Sequence, residues 1–309
     1  MALTISQILA AAYPAVVAEK RKPANQWAES ALMRELERQG AIKKVALGST
    51  IEATLDYRRN AGAQVLATDL TPTATTKTDV MTAASYAIAS VSVPIVWSKE
   101  DDAKTDSENA KVAFVDSLIE NALNSHDDLL EQTILGSTSN GLIGMLSLIT
   151  DDGTGTIGGI DASTDVFWKN KFGDYTNASD IEAVMTSVWN KCTKGSGSPM
   201  TPKIIVSDAA TQAVFEGTQQ TLQRYVDTTE VNAGFTVLAF KSARYVFSQY
   251  GTARIFFLNP KNYQIRASKS YFRSKGKEQE LENAEGFKTS IYSALQVVTD
   301  NRSRLGVAF

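Results

Sequence analysis

Three glycines, Gly153, Gly155 and Gly158, fall in the order G-x-G-x-x-G within "TDDGTGTIGGIDASTDVFWKN", residues 150–170. That spacing can cradle a dinucleotide pyrophosphate, provided a strand precedes it and a helix opens at its last glycine to supply N–H groups and a favourable dipole. Here the sequel has no helical apolar period and mixes turn formers, aromatics and charges. The preceding "GLIGMLSLI" reads as a strand or a loop, and no acidic residue follows about 20 positions on at the end of a second strand. The glycines are therefore expected to form a surface turn in which positive φ is needed.

Other reactive side chains are sparse. Cys192 is the single cysteine and His126 the single histidine, so an intrachain disulfide is excluded and neither a zinc cluster nor a Cys/His pair has enough members. Cys192 ends a helical stripe with Ile181, Val184, Met185, Val188 and Trp189, which marks a packing thiol. Ser207 precedes a helix and reads as a cap, with Asp208 the other candidate. The carboxylate pairs Asp101/Asp102, Asp127/Asp128 and Asp151/Asp152 stand in charged or turn contexts expected on a solvated surface. No Ser/His/Asp set can be assembled from the sequence around one histidine. The expectation is a protein that is not an enzyme, with no catalytic, cofactor-binding or metal-binding residues.

The elements around these residues are clearer. "PANQWAESALMRELERQG" reads as a helix opened by Pro23 and closed by Gly40, with Trp27, Ala31, Leu32 and Leu36 on one side; what precedes it looks like an arm. Strict alternation marks two strands, one with Ile51, Ala53, Leu55 and Tyr57 on a face and one with Val91, Val93, Ile95 and Trp97. They are expected to pair. Between them lies a threonine-rich interval, residues 58–85, with too little apolar material for a core of its own. It reads as an extended hairpin whose packing partner lies on another molecule.

Thr105 and Glu108 then offer a capping box, followed by a helical face of Val112, Val115, Ile119, Ala122, His126, Leu130 and Thr133 or Ile134. About 28 residues at 1.5 Å each make a rod of roughly 42 Å. His126 on that face reads as a packed or interface side chain. Beyond Gly136 come a helix over 179–193, the strand "KIIV", a helix from Asp208, the strands "FTVLAF", "ARYVFSQ", "ARIFFLN" and "YQIRAS", and two closing strands around a polar turn at 300–303. The class is α+β.

Chain-wide composition agrees with a structural role. With 31 basic and 34 acidic residues in 309, the formal charge is -3, which disfavours an extended nucleic-acid-gripping surface but permits enclosing a polyanion. The start carries its charges after the apolar part and is broken by Pro14, unlike a secretory signal. No stretch reaches the roughly 18 apolar residues of a membrane span, so a cytoplasmic site of assembly is expected.

In this order, the segments "NGLIGM" (140–145), "GIDASTDVFWKN" (159–170), "PKIIVSDAATQAVFEG" (202–217), "GFTVLAFKSARYVFSQ" (234–249) and "RIFFLNPKNYQIR" (254–266) resemble the major capsid proteins of tailed bacteriophages, the Hong Kong 97-like family. The resemblance covers the chain from about residue 24 onward. It implies an N-terminal arm (1–48), an extended loop hairpin (49–90) reaching over a neighbouring subunit, a peripheral domain with a long spine helix (91–136 and 255–309) and an axial domain (137–254). The implied function is self-assembly into an icosahedral shell around packaged double-stranded DNA.

The implied partners are copies of the chain in hexamers and pentamers, a scaffolding protein, a portal, decoration proteins and DNA held without sequence preference, with no membrane. The implied place is the virion capsid, assembled in a host bacterial cytoplasm. Arg58, Arg59, Lys77 and Trp27 are the expected inter-subunit contacts, and Lys77 is the sole plausible loop donor for a covalent cross-link. Many relatives carry a scaffolding segment or cleaved leader before the arm; this chain begins almost at the arm, which implies separate scaffolding or a processed chain. Three rivals stand beside this reading. They are an encapsulin-like nanocompartment enclosing cargo enzymes, a nucleotide-binding enzyme built on Gly153–Gly158, and a sheet-rich tail or adhesion component.

Overall fold

The computed structural model describes residues 5, 7–9, 12–13, 30–46, 48–65, 77–104, 108–193, 200–221, 238–282 and 284–309. Trp27, the expected helix start at Pro23, the Thr105 cap and residues 234–237 lie outside them.

Helix α1 (Ala31–Arg38) buries Leu32, Met33 and Leu36. It stops because Gly40 takes φ +67, which lets the Ala41 N–H reach the Leu36 carbonyl and the Gly40 N–H reach that of Glu37, the bond pattern of a Schellman stop. Buried Glu35 takes two hydrogen bonds from Arg38 at 2.6 and 2.8 Å and one from Arg244, tying this helix to a distant strand. A short strand follows, β1 (Ile42–Val45), which the sequence did not betray.

Next come β2 (Thr50–Asp56), β3 (Met81–Ala87) and β4 (Ala89–Ser98). Both predicted alternations hold: Ile51, Ala53 and Leu55 are buried on β2, and Ile95 and Trp97 on β4. Their pairing differs from expectation. β2 pairs antiparallel with β3, Ile51 opposite Tyr86 and Leu55 opposite Thr82, whereas β4 pairs over ten residues with a strand near the C-terminus, Gly286–Thr299. Matching alternation establishes a half-buried face and says nothing about the partner.

After the short helix α2 (Lys99–Lys104) runs α3 (Glu108–Leu135), the 28-residue rod. Val115, Ile119, Ala122, His126, Leu130 and Ile134 are buried on it, while Val112 at its start is exposed. The stretch 141–149, read as strand or loop, contains instead a single turn of helix, α4 (Met145–Leu148). The remaining elements are β5 (Thr156–Ile157), β6 (Ile160–Asp161), β7 (Lys171–Gly173), α5 (Ile181–Cys192), β8 (Ile204–Ser207), α6 (Ala209–Thr221), β9 (Ala239–Phe240), β10 (Ala243–Phe247), β11 (Ile255–Leu258), β12 (Tyr263–Ser268), β13 (Ser274–Lys275), β14 (Gln279–Glu280), β15 (Gly286–Thr299) and β16 (Gly306–Ala308). Asp208 caps α6, accepting the Thr211 N–H at 3.1 Å, so of the two candidate caps it is the second.

Two six-stranded sheets organise the chain. The first is built on β15: β12, β13 and β14 follow one another along one side, β4 lines the other, and β1 joins β12 in parallel. Ile291 on β15 packs with Ile95 and Trp97 of β4 against Val115, Ile119 and Leu123 of α3. The second sheet runs β7-β16-β11-β8-β10-β9. Its central strands are buried on both faces, as their unbroken apolar runs require. Ile204, Val206, Phe256 and Leu258 face the core shared with the first sheet, and Ile205, Ile255 and Phe257 face α5. The strands at 255–258 and 306–308 thus add to the second sheet, while 263–299 builds the first.

Candidate functional site

The glycine loop answers its own question through polarity. Gly153, Gly155, Gly158 and Gly159 all have positive φ. The last two form the two-residue turn between β5 and β6, where both central residues need that conformation. A phosphate loop aims N–H donors at an anion. This one aims acceptors at a cation: fully buried Arg302 donates to the carbonyls of Leu148 (2.7 Å), Gly155 (3.0 Å) and Thr154 (2.6 Å) and to the Thr150 hydroxyl (3.3 Å). Burial pushes the guanidinium pKa down to about 10. No helix opens at Gly158; a 3-10 turn, Val166–Trp168, comes later. "FWKN" then locks the loop, the Trp168 ring N–H reaching the Ile157 carbonyl at 3.1 Å and Asn170 bonding both the N–H and the carbonyl of Thr150.

What the loop holds is the hairpin. A Cβ on Gly158 would lie 2.7 Å from the Ala84 Cβ and 3.1 Å from Tyr86, and the Ser85 N–H donates to the Gly158 carbonyl at 2.9 Å. Tyr86 is buried, and its hydroxyl donates to the Thr299 carbonyl at 2.8 Å; burial raises this phenol's pKa far above its ordinary value. Gln296 ties the Ala87 carbonyl to that of Gly141 at 2.6 and 2.7 Å. The expectation that the hairpin finds its packing only on another molecule is therefore corrected for its stem: Ile51, Ala53, Leu55, Ala84 and Tyr86 belong to this chain's own core. Period-two apolar positions at Ala84 and Tyr86 were a readable signal for it.

Beyond the stem most of the described residues turn exposed. Tyr57 still meets Phe167 with ring centroids 5.0 Å apart, and its N–H reaches the Val80 carbonyl at 3.0 Å. Arg58 lies over the Tyr57 ring at 5.2 Å. Arg58, Arg59 and Lys77 are all exposed on the outer part of the hairpin, as is Val65, at 99%. Three of the four residues expected to contact a neighbour are thus exposed on one hairpin; Trp27 is outside the described residues.

One constellation that the sequence did not suggest does form. Ser293, His126 and Asp127 stand in line, with His126 Nε2 2.8 Å from Ser293 Oγ and Nδ1 3.3 Å from Asp127 Oδ1. Ser293 and His126 are 1% and 0% exposed, and the Ser293 oxygen already accepts the Arg273 N–H at 2.9 Å. With no approach for a substrate the trio acts in packing. His126 is the packed side chain expected, whereas Asp127 is buried and joined to Arg273 at 2.5 Å, not solvated. Its neighbour Asp128 accepts the Tyr250 hydroxyl at 2.8 Å, Asp151 pairs with Arg254 at 2.6 Å and Asp101 takes the Ser98 N–H at 2.9 Å. Among the described residues no group of three or more His, Cys, Asp or Glu side chains could hold a metal ion, and no helix is long and apolar enough to cross a membrane.

Cys192 lies fully buried beneath β16, where a Cβ on Gly306 would come within 2.7 Å of its sulfur. Burial pushes the thiol up to about 12. Since the thiolate is the reacting form, the folded chain at pH 8 should show no labelling by a disulfide-exchange reagent over minutes. The urea-unfolded chain should give one thiol per chain. Rapid stoichiometric labelling of the folded chain would contradict this packing.

No family model matches the chain, and no curated protein is similar to it in sequence. Solved structures do match, over nearly the whole length. The class they define is that of Hong Kong 97-like capsid proteins, whose fold this chain has. The capsid asymmetric unit of cyanophage A-1(L) superposes with a TM-score of 0.68 at 16% identity, covering 95% of this chain and 97% of that one. The capsid of Myoviridae phage XM1 gives 0.53 at 10% identity, covering 94% and 95%. The holo-SrpI encapsulin of Synechococcus elongatus PCC 7942 gives 0.57 at 10% identity, covering 97% and 94%.

Proposed function

We propose that the chain is a major capsid protein, copies of which close into an icosahedral shell around packaged phage double-stranded DNA. The observation that carries this reading is end-to-end coverage, 95% and 97%, with a phage capsid subunit, in a chain whose described residues assemble no accessible catalytic or metal centre. The outer hairpin supports it, since an element whose described residues Val65, Arg58, Arg59 and Lys77 are exposed gains contacts from a neighbour. We assign Arg58, Arg59, Lys77 and Trp27 to that contact.

In this reading residues 1–48 are the arm, 49–90 the extended loop, and the first sheet with α3 the peripheral domain. The second sheet with α5 and α6 forms the axial domain, to which β11 and β16 contribute. Symmetric closure makes many modest interfaces act together. Copies of the chain are its principal partners, with scaffolding, portal and decoration proteins joining them in the host cytoplasm before the shell becomes the virion capsid.

A second reading is favoured by the encapsulin match, which also spans the chain: the same shell enclosing cargo enzymes. Negative-stain microscopy of the expressed protein, with and without a scaffold, decides between shell and no shell. Nuclease-protected DNA in particles supports the capsid; cargo protein without DNA supports the compartment. Monomers under every assembly condition, or trimers and tubes, would overturn both.

A further inference from the structure

Arg273 sits where a bulky residue is strained. Its φ is +51, in the left-handed region that costs residues with a Cβ and persists only where surroundings over-determine it. Three separate elements do so here. The Ser293 hydroxyl of β15 accepts its N–H at 2.9 Å, Asp127 of α3 accepts its guanidinium at 2.5 Å, and the Tyr13 hydroxyl donates to its carbonyl at 2.5 Å. Its Nε is buried without an acceptor, a second cost at the same residue.

Tyr13 belongs to an amino-terminal segment whose Ile5, Ile8 and Leu9 are buried, at helical spacing, on a seat made by Val115, Ile119 and Leu123 of α3 with Ile95 and Trp97 of β4. We propose that the segment carrying Ile5, Ile8, Leu9 and Tyr13 is a detachable strap over this apolar seat, and that Arg273 is the strained latch setting how readily it lifts. Closing gains apolar burial but adds the Tyr13 bond as a third restraint on the costly Arg273 backbone; opening drops that restraint and leaves the bonds to Ser293 and Asp127 in place. The difference keeps the strap near the low end of local stability while both sheets stay intact. Lifting it uncovers Val115, Ile119 and Leu123 of α3.

Hydrogen exchange of the full-length chain tests this before any assembly, so the outcome is independent of shell formation. Tyr13→Phe removes one oxygen, and exchange over residues 5–13 should rise about 5-fold with no change at residues 204–207 in the second sheet. Arg273→Ala keeps the strain and loses the guanidinium, whereas Arg273→Gly loses both. The glycine variant should therefore exchange about 4-fold more slowly over 5–13 than the alanine variant. Unaltered strap exchange in Tyr13→Phe, strap exchange that tracks residues 204–207 in every variant, or equal rates for the alanine and glycine variants would overturn the latch.

Discussion

A chain in which residues 60–77 are replaced by an Asn-Gly turn should fold, remain monomeric and form no closed shell. The cut follows the packing. Removing residues 60–84 would also delete Ala84, which is fully buried in the central core, and would confuse misfolding with failed assembly. Ending at residue 77 keeps Tyr57 bonded to Val80 and all seven pairs of β2 with β3, and Asn-Gly between Arg59 and Thr78, which that register sets opposite each other, makes a two-residue hairpin turn. Because the residues lost include the exposed Val65 and Lys77, the unfolding free energy in urea should change by less than about 1 kcal/mol. Assembly should fall to nothing, since each subunit loses the same contact at every symmetry position. Sedimentation and microscopy read this directly. Particles of normal size and yield from the shortened chain would refute the assembly role of the hairpin.

The second large effect is expected from Arg302→Met, which retains most of the apolar stem and removes the charge. The carbonyls of Leu148, Thr154 and Gly155 would then lose a charge-assisted donor whose own side chain is fully buried. Leaving buried acceptors unsatisfied costs about 1–3 kcal/mol each. Partial relaxation of the loop makes about 3–5 kcal/mol a fair total, measured as the shift in unfolding free energy in urea. Arg302→Lys should lose nearly as much, because one ammonium cannot reproduce the fork that spans Leu148, Gly155 and Thr154. The loss should spread to the hairpin, for Gly158 on the same loop meets Ala84 and Tyr86. A fall below about 1 kcal/mol would show that the loop supports itself and that Arg302 is incidental.

The contrast between these residues shows where sequence reasoning reached and where it stopped. The 28-residue helix α3, the buried alternation of β2 and β4, the packed thiol of Cys192 and the packed ring of His126 were all legible. Each depends on spacing along a single element, and local periodicity reports which face turns inward. The G-x-G-x-x-G triplet was legible too, as a turn, because the helix that a phosphate site needs is absent from the letters that follow.

Partnership was not legible. The segment 300–303 reads as a polar turn, and nothing adjacent to Arg302 reveals that its guanidinium fills the centre of a loop about 150 positions earlier. β4 finds β15 instead of β2, Asp127 leaves solvent to reach Arg273, and the hairpin stem lies on its own chain's core. Sequence alone determined the α+β class, the rod, the alternating faces and the poverty of reactive groups, since those follow from short-range geometry and composition. Tertiary structure alone decided which strands pair, which charges are buried and where the hairpin stem packs. Those outcomes depend on contacts between residues far apart in the chain, whose energies are set by mutual burial and by whatever polar partner each group meets there.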